Sequence, residues 1–235
     1  PSNLQIQSIV ENQVDRVYFS TFSDYVYYTI LNSNNQSQDG LWRLKLSRNF
    51  LDFGTNSPAR ISPMTQFIDK LRTNEYSLLL SDDNDKVILS IPALEEIYLY
   101  EVSGDTQVTD LKAVLGYFPD RIFWFRGSTS IVVEKNNLLF EFELETQQKT
   151  IIDFVFDGKL NYFVNTDFVF FKSNQDNQIR IYSNKLSSPF QFKTLNISLP
   201  EEIGSIIGVR GNRDSIILVN NNGFIYINVD KRFIE

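Results

Sequence analysis

The feature that most constrains the fold of this chain is an alternation of apolar and polar residues. Between residues 140 and 145 every second position is Phe or Leu, and the positions between them are Glu. Because successive side chains of a strand point to opposite faces, this pattern predicts a half-buried strand whose glutamates form a solvent-exposed face. Similar runs rich in Ile, Val, Phe and Tyr are separated by polar turns, as at 81–85, 173–177 and 220–223. The sequence therefore predicts consecutive strands joined by tight hairpins.

One strand type recurs at the spacing of a propeller blade. Its first inward residues are Trp42, Tyr98, Phe140, Ile179 and Ile225, at intervals of 56, 42, 39 and 46 residues. The mean interval of about 46 residues is close to the length of a four-stranded blade. A further strand follows the first four positions, at 59–62, 107–111, 149–152 and 191–195. The sequence predicts an all-β fold, a single β-propeller domain over residues 1–235 with about five four-stranded blades. A partial six- or seven-bladed propeller and a β-sandwich are the alternatives.

The last repeat and two helical segments complete this prediction. Only Arg232-Phe233-Ile234 follows the fifth repeat, so we expect the alternating opening segment Leu4–Ile9 to supply the strand that closes the last sheet. The apolar positions of 64–71 have helical spacing, with Ser62 and Pro63 as the expected N-cap and first helical residue. A second short apolar stripe covers 111–115. We expect one or two helical turns between sheets at both places.

The amino-acid composition excludes most kinds of catalytic site. The chain contains neither cysteine nor histidine, which excludes Ser-His-Asp and Cys-His catalysis and thiolate or imidazole metal ligands. Hydrolysis would then require paired carboxylates or an oxygen-ligated metal. Asp82, Asp83 and Asp85 lack the spacing of a calcium loop and are typical of a solvated turn. We therefore expect no catalytic residue, no metal site and no cofactor.

Charge and hydropathy limit the partners. The net charge is −7, and the densest basic positions are bracketed by acidic residues, so we expect no nucleic-acid binding. No apolar run approaches the roughly 20 residues that span a bilayer, so we expect no direct membrane insertion by this chain.

Two aromatic groups are the candidate binding sites. The candidate binding residues are Tyr25, Tyr27, Tyr28, Arg121, Trp124 and Arg126. Strand alternation leaves part of the tyrosine trio on the less buried face, where exposed tyrosines are typical of protein or glycan contacts. The run 121–126 has the composition of a stacking platform for sugar or nucleic acid. We favour burial of its aromatic residues in the core, because aromatic side chains usually supply buried area.

Segments 39–44 (DGLWRL), 95–102 (EEIYLYEV) and 117–120 (YFPD) carry a resemblance to bacterial TolB-like and WD40-like propellers. The first two look like the outer hairpins of those proteins, and the third is similar to the W-S-P-D turn that opens their blades. Similar propellers follow PEGA domains in cell-envelope proteins. The resemblance implies a propeller used for binding and located outside the cytoplasm or at the cell envelope.

These observations leave two functions from different classes. The first is a non-enzymatic scaffold that presents propeller loops to a protein partner. The alternative is a carbohydrate-binding or glycoside-hydrolase-type five-bladed propeller, for which carbohydrate would be the ligand. A hydrolase would need two converging carboxylates about 5–10 Å apart in a central pocket, whereas a scaffold would have a pocket lined by backbone and neutral side chains, with exposed aromatic residues on its rim. A structural subunit of a larger complex is a third possibility.

Overall fold

The computed structural model describes the chain in ranges that alternate with undescribed residues. The described ranges are 14–19, 25–31, 36–45, 58–81, 83, 85–102, 108–125, 128–136, 138–152, 162–164, 169–172, 178–182, 193–198, 208–211, 215–220 and 223–228. Two compact units contain them, unit 1 (Pro1–Phe118) and unit 2 (Pro119–Glu235). Each unit is built of antiparallel sheets, and the single domain over residues 1–235 stays a prediction.

Unit 1 contains two four-stranded sheets in chain order. Sheet A consists of β1 (Val14–Phe19), β2 (Tyr25–Ile30), β3 (Gly40–Lys45) and β4 (Ala59–Ser62). Sheet B consists of β5 (Ser77–Leu80), β6 (Lys86–Ile91), β7 (Glu96–Glu101) and β8 (Val108–Asp110). Helix α1 (Ile68–Thr73) connects the two sheets, α2 (Leu111–Leu115) follows β8, and 3-10 turns occupy Gln36–Gln38 and Pro92–Leu94.

Unit 2 contains three sheets in its described part. Sheet C consists of β9 (Arg121–Phe125), β10 (Ser130–Lys135), β11 (Leu138–Glu143) and β12 (Lys149–Ile152). Sheet D consists of β13 (Tyr162–Val164), β14 (Val169–Lys172), β15 (Gln178–Tyr182) and β16 (Lys193–Ser198). Sheet E consists of β17 (Gly208–Gly211), β18 (Ser215–Asn220) and β19 (Gly223–Asn228).

The predicted repeat corresponds to the sheets. Each of the five anchor residues lies on the third strand of a sheet, in β3, β7, β11, β15 and β19. The strands predicted at 59–62 and 149–152 are β4 and β12. The all-β fold class and the recurrence of antiparallel sheets are therefore confirmed. The closing strand expected from Leu4–Ile9 falls outside the described residues.

The core of unit 1 lies between sheets A and B. Tyr27 and Leu41 from sheet A, Leu89 and Tyr100 from sheet B, and the apolar side chains of 64–71 form one buried cluster. The predicted helical stripe is therefore buried, but α1 begins only at Ile68 and has Phe67 at its N-cap position. The predicted cap at Ser62 was wrong, because Met64 has φ +48° and a left-handed residue cannot continue an α-helix.

The core of unit 2 corrects one expectation about the glutamates of β11. On sheet C, Phe125, Val132 and Leu139 form a buried cluster that includes Val169 of sheet D. Glu141 shares this face, since it lies opposite Val132, and it is only 3% exposed. The expected solvent-exposed glutamate face is wrong at this position because sheet D covers it. Glu145, beyond the end of β11, is exposed as expected.

Candidate functional site

The tyrosine trio lies on β2, a central strand of sheet A. Tyr27 is fully buried in the cluster between sheets A and B. Tyr28 is buried on the opposite face, where its ring lies parallel to that of Trp42 at 6.4 Å between centroids. Tyr25 is half-buried, and the Arg43 guanidinium lies 5.1 Å from its ring centroid. The exposure expected for part of the trio is thus limited to Tyr25, because β2 is covered on both faces; a binding role for these residues stays a prediction.

The run 121–126 lies on β9 of sheet C. Trp124 is buried, as the favoured interpretation expected. Arg121 is exposed, and its Nε lies 3.6 Å from a carboxylate oxygen of Glu134 on the neighbouring strand. Arg126 lies outside the described residues. The structure gives Arg121 an ion-pairing role, and binding by this run stays a prediction.

Asp120, in the segment that resembles a blade-opening turn, ties two parts of sheet C together. Its carboxylate accepts hydrogen bonds from the backbone N–H of Asn136 at 2.9 Å and from Lys135 Nζ at 3.0 Å. The hydrogen bond from Asn136 is the main reason why the pKa of Asp120 lies below its usual value, and Lys135 lowers it further. The residue therefore fixes the start of β9 against the β10–β11 turn.

Three connections of unit 1 meet at one end of sheet B. In an antiparallel sheet in chain order, the start of β5, the β6–β7 turn and the end of β8 lie at the same end. Helix α1 precedes β5, the Pro92–Leu94 turn joins β6 to β7, and α2 follows β8. We call this region the helical end of sheet B.

Two consecutive glutamates join the central turn of this end to both helices. Glu95 Oε2 lies 3.1 Å from Nζ of Lys112 on α2. Glu96 accepts hydrogen bonds from Nζ of Lys70 on α1 at 2.7 and 2.9 Å. The hydrogen bond to Glu96 is the main cause of the raised pKa of Lys70, which is therefore a cation at neutral pH. The turn is held between the two helices by these ion pairs.

Helix α1 is in turn fixed to sheet A. Arg72 Nη2 on α1 donates to Oδ2 of Asp39 at 2.5 Å, and the Asp39 side chain is almost completely buried. Arg60 on β4 donates to the carbonyl oxygen of the same residue. A buried carboxylate is stable only when it is paired and hydrogen-bonded, so this contact positions α1 against the β2–β3 connection.

The local sequence explains the shape of the central turn. Ile91 and Ile97 are buried on either side of it, and Pro92 begins the 3-10 turn with a backbone angle suited to that position. Glu95 ends the turn with φ +48°, and its N–H donates to the carbonyl of Pro92 at 3.0 Å. The first three of the five residues between Ile91 and Ile97 are apolar and face solvent. Pro92, Ala93 and Leu94 are all exposed, and Leu94 retains 41% of its accessible surface.

A run of three exposed apolar residues is uncommon on a protein surface unless it serves a function. We call Pro92, Ala93 and Leu94 the Leu94 surface. The helical end that surrounds it, residues 63–76, 92–96 and 110–118, has five acidic residues and three basic ones. The acidic residues are Asp69, Glu75, Glu95, Glu96 and Asp110. The Leu94 surface is therefore an apolar patch in an acidic environment.

Other large apolar side chains are exposed in the described ranges, and the most exposed of them, Phe224, belongs to sheet E. Phe224 and Tyr226 alternate on β19 and are 75% and 59% exposed. β19 is followed by residues 229–235, which the structure does not describe, so this exposure does not by itself identify a surface. Sequence reasoning missed the Leu94 surface, although the Pro after a buried strand was a usable signal for the turn.

The described ranges show neither a candidate metal site nor a helix that could cross a membrane. They contain no group of three or more Asp, Glu, His or Cys residues that could hold a metal ion. Within the same ranges, no helix is long and apolar enough to cross a membrane.

Comparison with known proteins gave matches among solved structures alone. No protein-family profile and no curated protein matches this chain. Hsv2 from Kluyveromyces lactis matches with a TM-score of 0.56 and 10% identity, over 94% of this chain and 61% of that one. The structure of the fission yeast SREBP-SCAP binding domains matches with a TM-score of 0.54 and 12% identity, over 97% of this chain and 62% of that one.

A further match is Hsv2 from Kluyveromyces marxianus, with a TM-score of 0.52 and 14% identity, over 94% of this chain and 60% of that one. This chain thus spans about three fifths of the length of these structures. The matches give no support to the more specific resemblance to TolB-like and PEGA-linked propellers. At this level of identity the likeness establishes the fold alone, and the chain has the β-propeller fold that its repeat predicted.

Proposed function

We propose that this protein is a non-enzymatic binding scaffold that presents the Leu94 surface to a protein partner. The observation that carries the proposal is the run of three exposed apolar residues on a turn fixed by ion pairs to α1 and α2. Apolar side chains exposed together are typical of protein contact sites. A turn that is already ordered loses little conformational entropy on binding, which favours association.

The fold is compatible with this role. Propellers present loops on a rigid framework, and binding residues are often found on such loops. The solved structure of the fission yeast SREBP-SCAP binding domains shows a fold of this kind within a complex of binding domains. We extend that use of the fold to this chain as part of the proposal. A location outside the cytoplasm or at the cell envelope is proposed on the sequence resemblance alone.

One observation bears on the carbohydrate-active alternative. Glu134 and Glu141 are buried glutamates on one face of sheet C, in diagonal positions of the β10–β11 pair. The same face carries Phe125 and Val132 and packs on sheet D, and Glu134 is within ion-pair distance of Arg121. A glycosidic substrate must reach both carboxylates, whereas these two glutamates lie inside a packed interface. The exposed Leu94 surface therefore favours the scaffold over the hydrolase.

Site-specific crosslinking in the native host tests the proposal. The photoreactive residue p-benzoylphenylalanine is placed at Ala93, and the adducts are identified by mass spectrometry. We expect one protein partner to be crosslinked from position 93, with a yield that falls at least about fivefold when Leu94→Ser is added.

The matched control places the same photoreactive residue at Leu138 of unit 2, which is 42% exposed against 41% for Leu94. We expect no partner adduct from that position. Equal yields from positions 93 and 138, or no protein adduct from position 93, would overturn the proposed scaffold role of the Leu94 surface.

A further inference from the structure

We infer that the partner segment recognised by the Leu94 surface is basic: a bulky apolar side chain flanked on both sides by Lys or Arg. This inference rests on the proposed function and adds the chemistry of the partner to it. It follows from which charges at the helical end of sheet B are committed to internal contacts and which face solvent.

Each basic residue of this end has an acidic partner within the protein. Lys70 pairs with Glu96, Lys112 pairs with Glu95, and Arg72 pairs with the buried Asp39. An acidic partner segment would have to compete with these carboxylates for each cation. Such competition would break the ion pairs that hold the turn carrying the Leu94 surface against α1 and α2, so an acidic segment is disfavoured.

The acidic residues, by contrast, exceed these pairings. The Asp69 carboxylate on α1 is 99% exposed and lies 3.4 Å from Arg72, which already binds Asp39. Glu75, between α1 and β5, is exposed and has no charged partner among the residues that the structure describes. Asp110, just before α2, is exposed and accepts a hydrogen bond from the N–H of Ala113.

These acidic residues lie on both sides of the apolar turn. Asp69 and Glu75 belong to the α1 side, and Asp110 belongs to the α2 side, while Leu94 lies on the turn that ion pairs join to both helices. A segment with one apolar anchor and bases before and after it matches this distribution of charge. Opposite charge on the two surfaces accelerates encounter and rejects like-charged partners. Nucleic acid is disfavoured as a partner, since its anionic backbone would be repelled by these acidic residues.

Peptide display on the full chain tests the inference. A library of random 12-residue peptides is panned against the wild-type protein and counter-selected on the Leu94→Ser variant. We expect the enriched peptides to carry Lys or Arg on both sides of a Leu, Ile, Met, Phe or Trp. A labelled synthetic copy of an enriched peptide then gives Kd by fluorescence anisotropy.

The expected changes in Kd separate the apolar and the charged contributions. Leu94→Ser should raise Kd at least about tenfold, because the anchor contact is lost. The double variant Asp69→Asn with Glu75→Gln should raise Kd about threefold, and an increase in NaCl from about 50 to about 300 mM should have an effect of similar size. Ala93→Arg, which adds a positive charge to an exposed turn position, is a second test of the same surface and should also weaken binding.

Matched controls lie in unit 2. Leu138→Ser changes a leucine of the same exposure, and Glu145→Gln removes an exposed carboxylate from the β11–β12 turn, so both should bind the peptide with unchanged Kd. The inference is overturned if panning enriches no peptide, if enriched peptides are neutral or acidic, or if they bind Leu94→Ser and Ala93→Arg as well as wild type. If position 93 still crosslinks to a partner whose contact segment is not basic, the scaffold function stands and this inference alone fails.

Discussion

The two units of the molecule join their neighbouring sheets in different ways. In unit 1, side-chain hydroxyl groups bond across the boundary between sheets A and B: Thr29 Oγ1 lies 2.7 Å from Tyr76 Oη, and Ser62 bonds to the hydroxyl of Tyr100. In unit 2, the described contact between sheets C and D is a cluster of apolar side chains that includes Phe125 and Val169. Apolar burial supplies non-directional free energy, whereas a buried hydrogen bond also selects one arrangement of the two partners.

Tyr76 shows how the directional contacts of unit 1 are built. Its hydroxyl donates to Asp15 Oδ2 at 2.5 Å, and its carbonyl accepts a hydrogen bond from Arg16 Nη1 at 2.6 Å. The guanidinium carbon of Arg16 also lies 4.5 Å from the centre of the Tyr76 ring. The pairing of β1 with β2 changes register between Val14 and Arg16, and such irregularities re-aim side chains. The local irregularity of β1 thus brings Asp15 and Arg16 to the residue that leads into sheet B.

The largest expected effect lies in the apolar interface of unit 2. Phe125→Ala should lower the free energy of unfolding by about 3–5 kcal/mol, because it removes a fully buried ring from the contact between sheets C and D. Urea denaturation followed by fluorescence measures the change. Ile151→Ala on the exposed side of β12 is the control, with a change of less than about 0.5 kcal/mol. Similar losses for the two variants would contradict an apolar origin of this interface.

Backbone proximity in unit 1 should give the next largest effect. Gly40 has φ +137°, and a Cβ at this position would overlap the carbonyl oxygen of Ser62 on β4. Gly40→Ala should therefore lower the free energy of unfolding by about 2–4 kcal/mol, because the backbone at residue 40 is strained and β4 is displaced. Gly116→Ala is the matched control, because Gly116 has φ +85° with open space around it. This substitution should lower the free energy of unfolding by only about 1–2 kcal/mol, from the left-handed backbone conformation alone. Thermal unfolding of both variants measures this difference, and equal losses of stability would contradict a close approach of β3 and β4.

Removal of one hydroxyl tests the polar link between sheets A and B. Tyr76→Phe should lower the free energy of unfolding by about 1–3 kcal/mol at neutral pH, because buried Thr29 and the exposed carboxylate of Asp15 lose a hydrogen-bond partner while the ring remains. If urea denaturation gives Tyr76→Phe the same free energy of unfolding as wild type, sheets A and B are held together by their apolar cluster alone. Unit 1 would then resemble unit 2.

The same link predicts a loss of stability at alkaline pH. Burial raises the pKa of Tyr18 to about 12 and raises the pKa of Tyr76 as well. Unfolded tyrosines ionise near pH 10, so the folded state retains protons that the unfolded state releases. The stabilisation that the folded state gains from these protonated tyrosines is complete below about pH 10 and is lost as pH rises through about 12. The unfolding free energy should fall less steeply over this range in Tyr76→Phe than in wild type; equal slopes would contradict a buried, protonated Tyr76.

The strands could be predicted from sequence because their signals are local. All five anchor residues occupy third strands, since apolar alternation and Asn/Asp-rich turns determine a hairpin without knowledge of the rest of the chain. The burial of Glu141 and Tyr28 could not be predicted in this way. Alternation shows which residues share a face of a sheet, but a second layer of structure decides whether that face meets solvent.

The candidate site was even less accessible to sequence reasoning. Pro92 after the apolar run of β6 indicates a turn, but the sequence gives no sign that Glu95 and Glu96 pair with Lys112 and Lys70, which lie 17 and 26 residues away. Those pairs depend on the antiparallel order of sheet B, which brings three connections to one end. The exposure of Leu94 is likewise a property of the assembled turn, because its flanking residues Ile91 and Ile97 take the buried positions.

The smallest expected effect belongs to the exposed ion pair between α2 and the central turn. Lys112→Gln should change the free energy of unfolding by less than about 0.5 kcal/mol, because Glu95 and Lys112 are both well exposed to solvent. Its effect should instead be local: the Glu95 N–H that bonds to the Pro92 carbonyl should exchange with deuterium faster, while core amides of β6 keep their rates. Leu138→Ser, at the start of β11 in unit 2, should leave the Glu95 amide unchanged. A large loss of unfolding free energy in Lys112→Gln would contradict this local role. It would mean that the Glu95–Lys112 pair stabilises the whole of unit 1, as the hydrogen bonds of Tyr76 do, and not only the turn that presents Leu94.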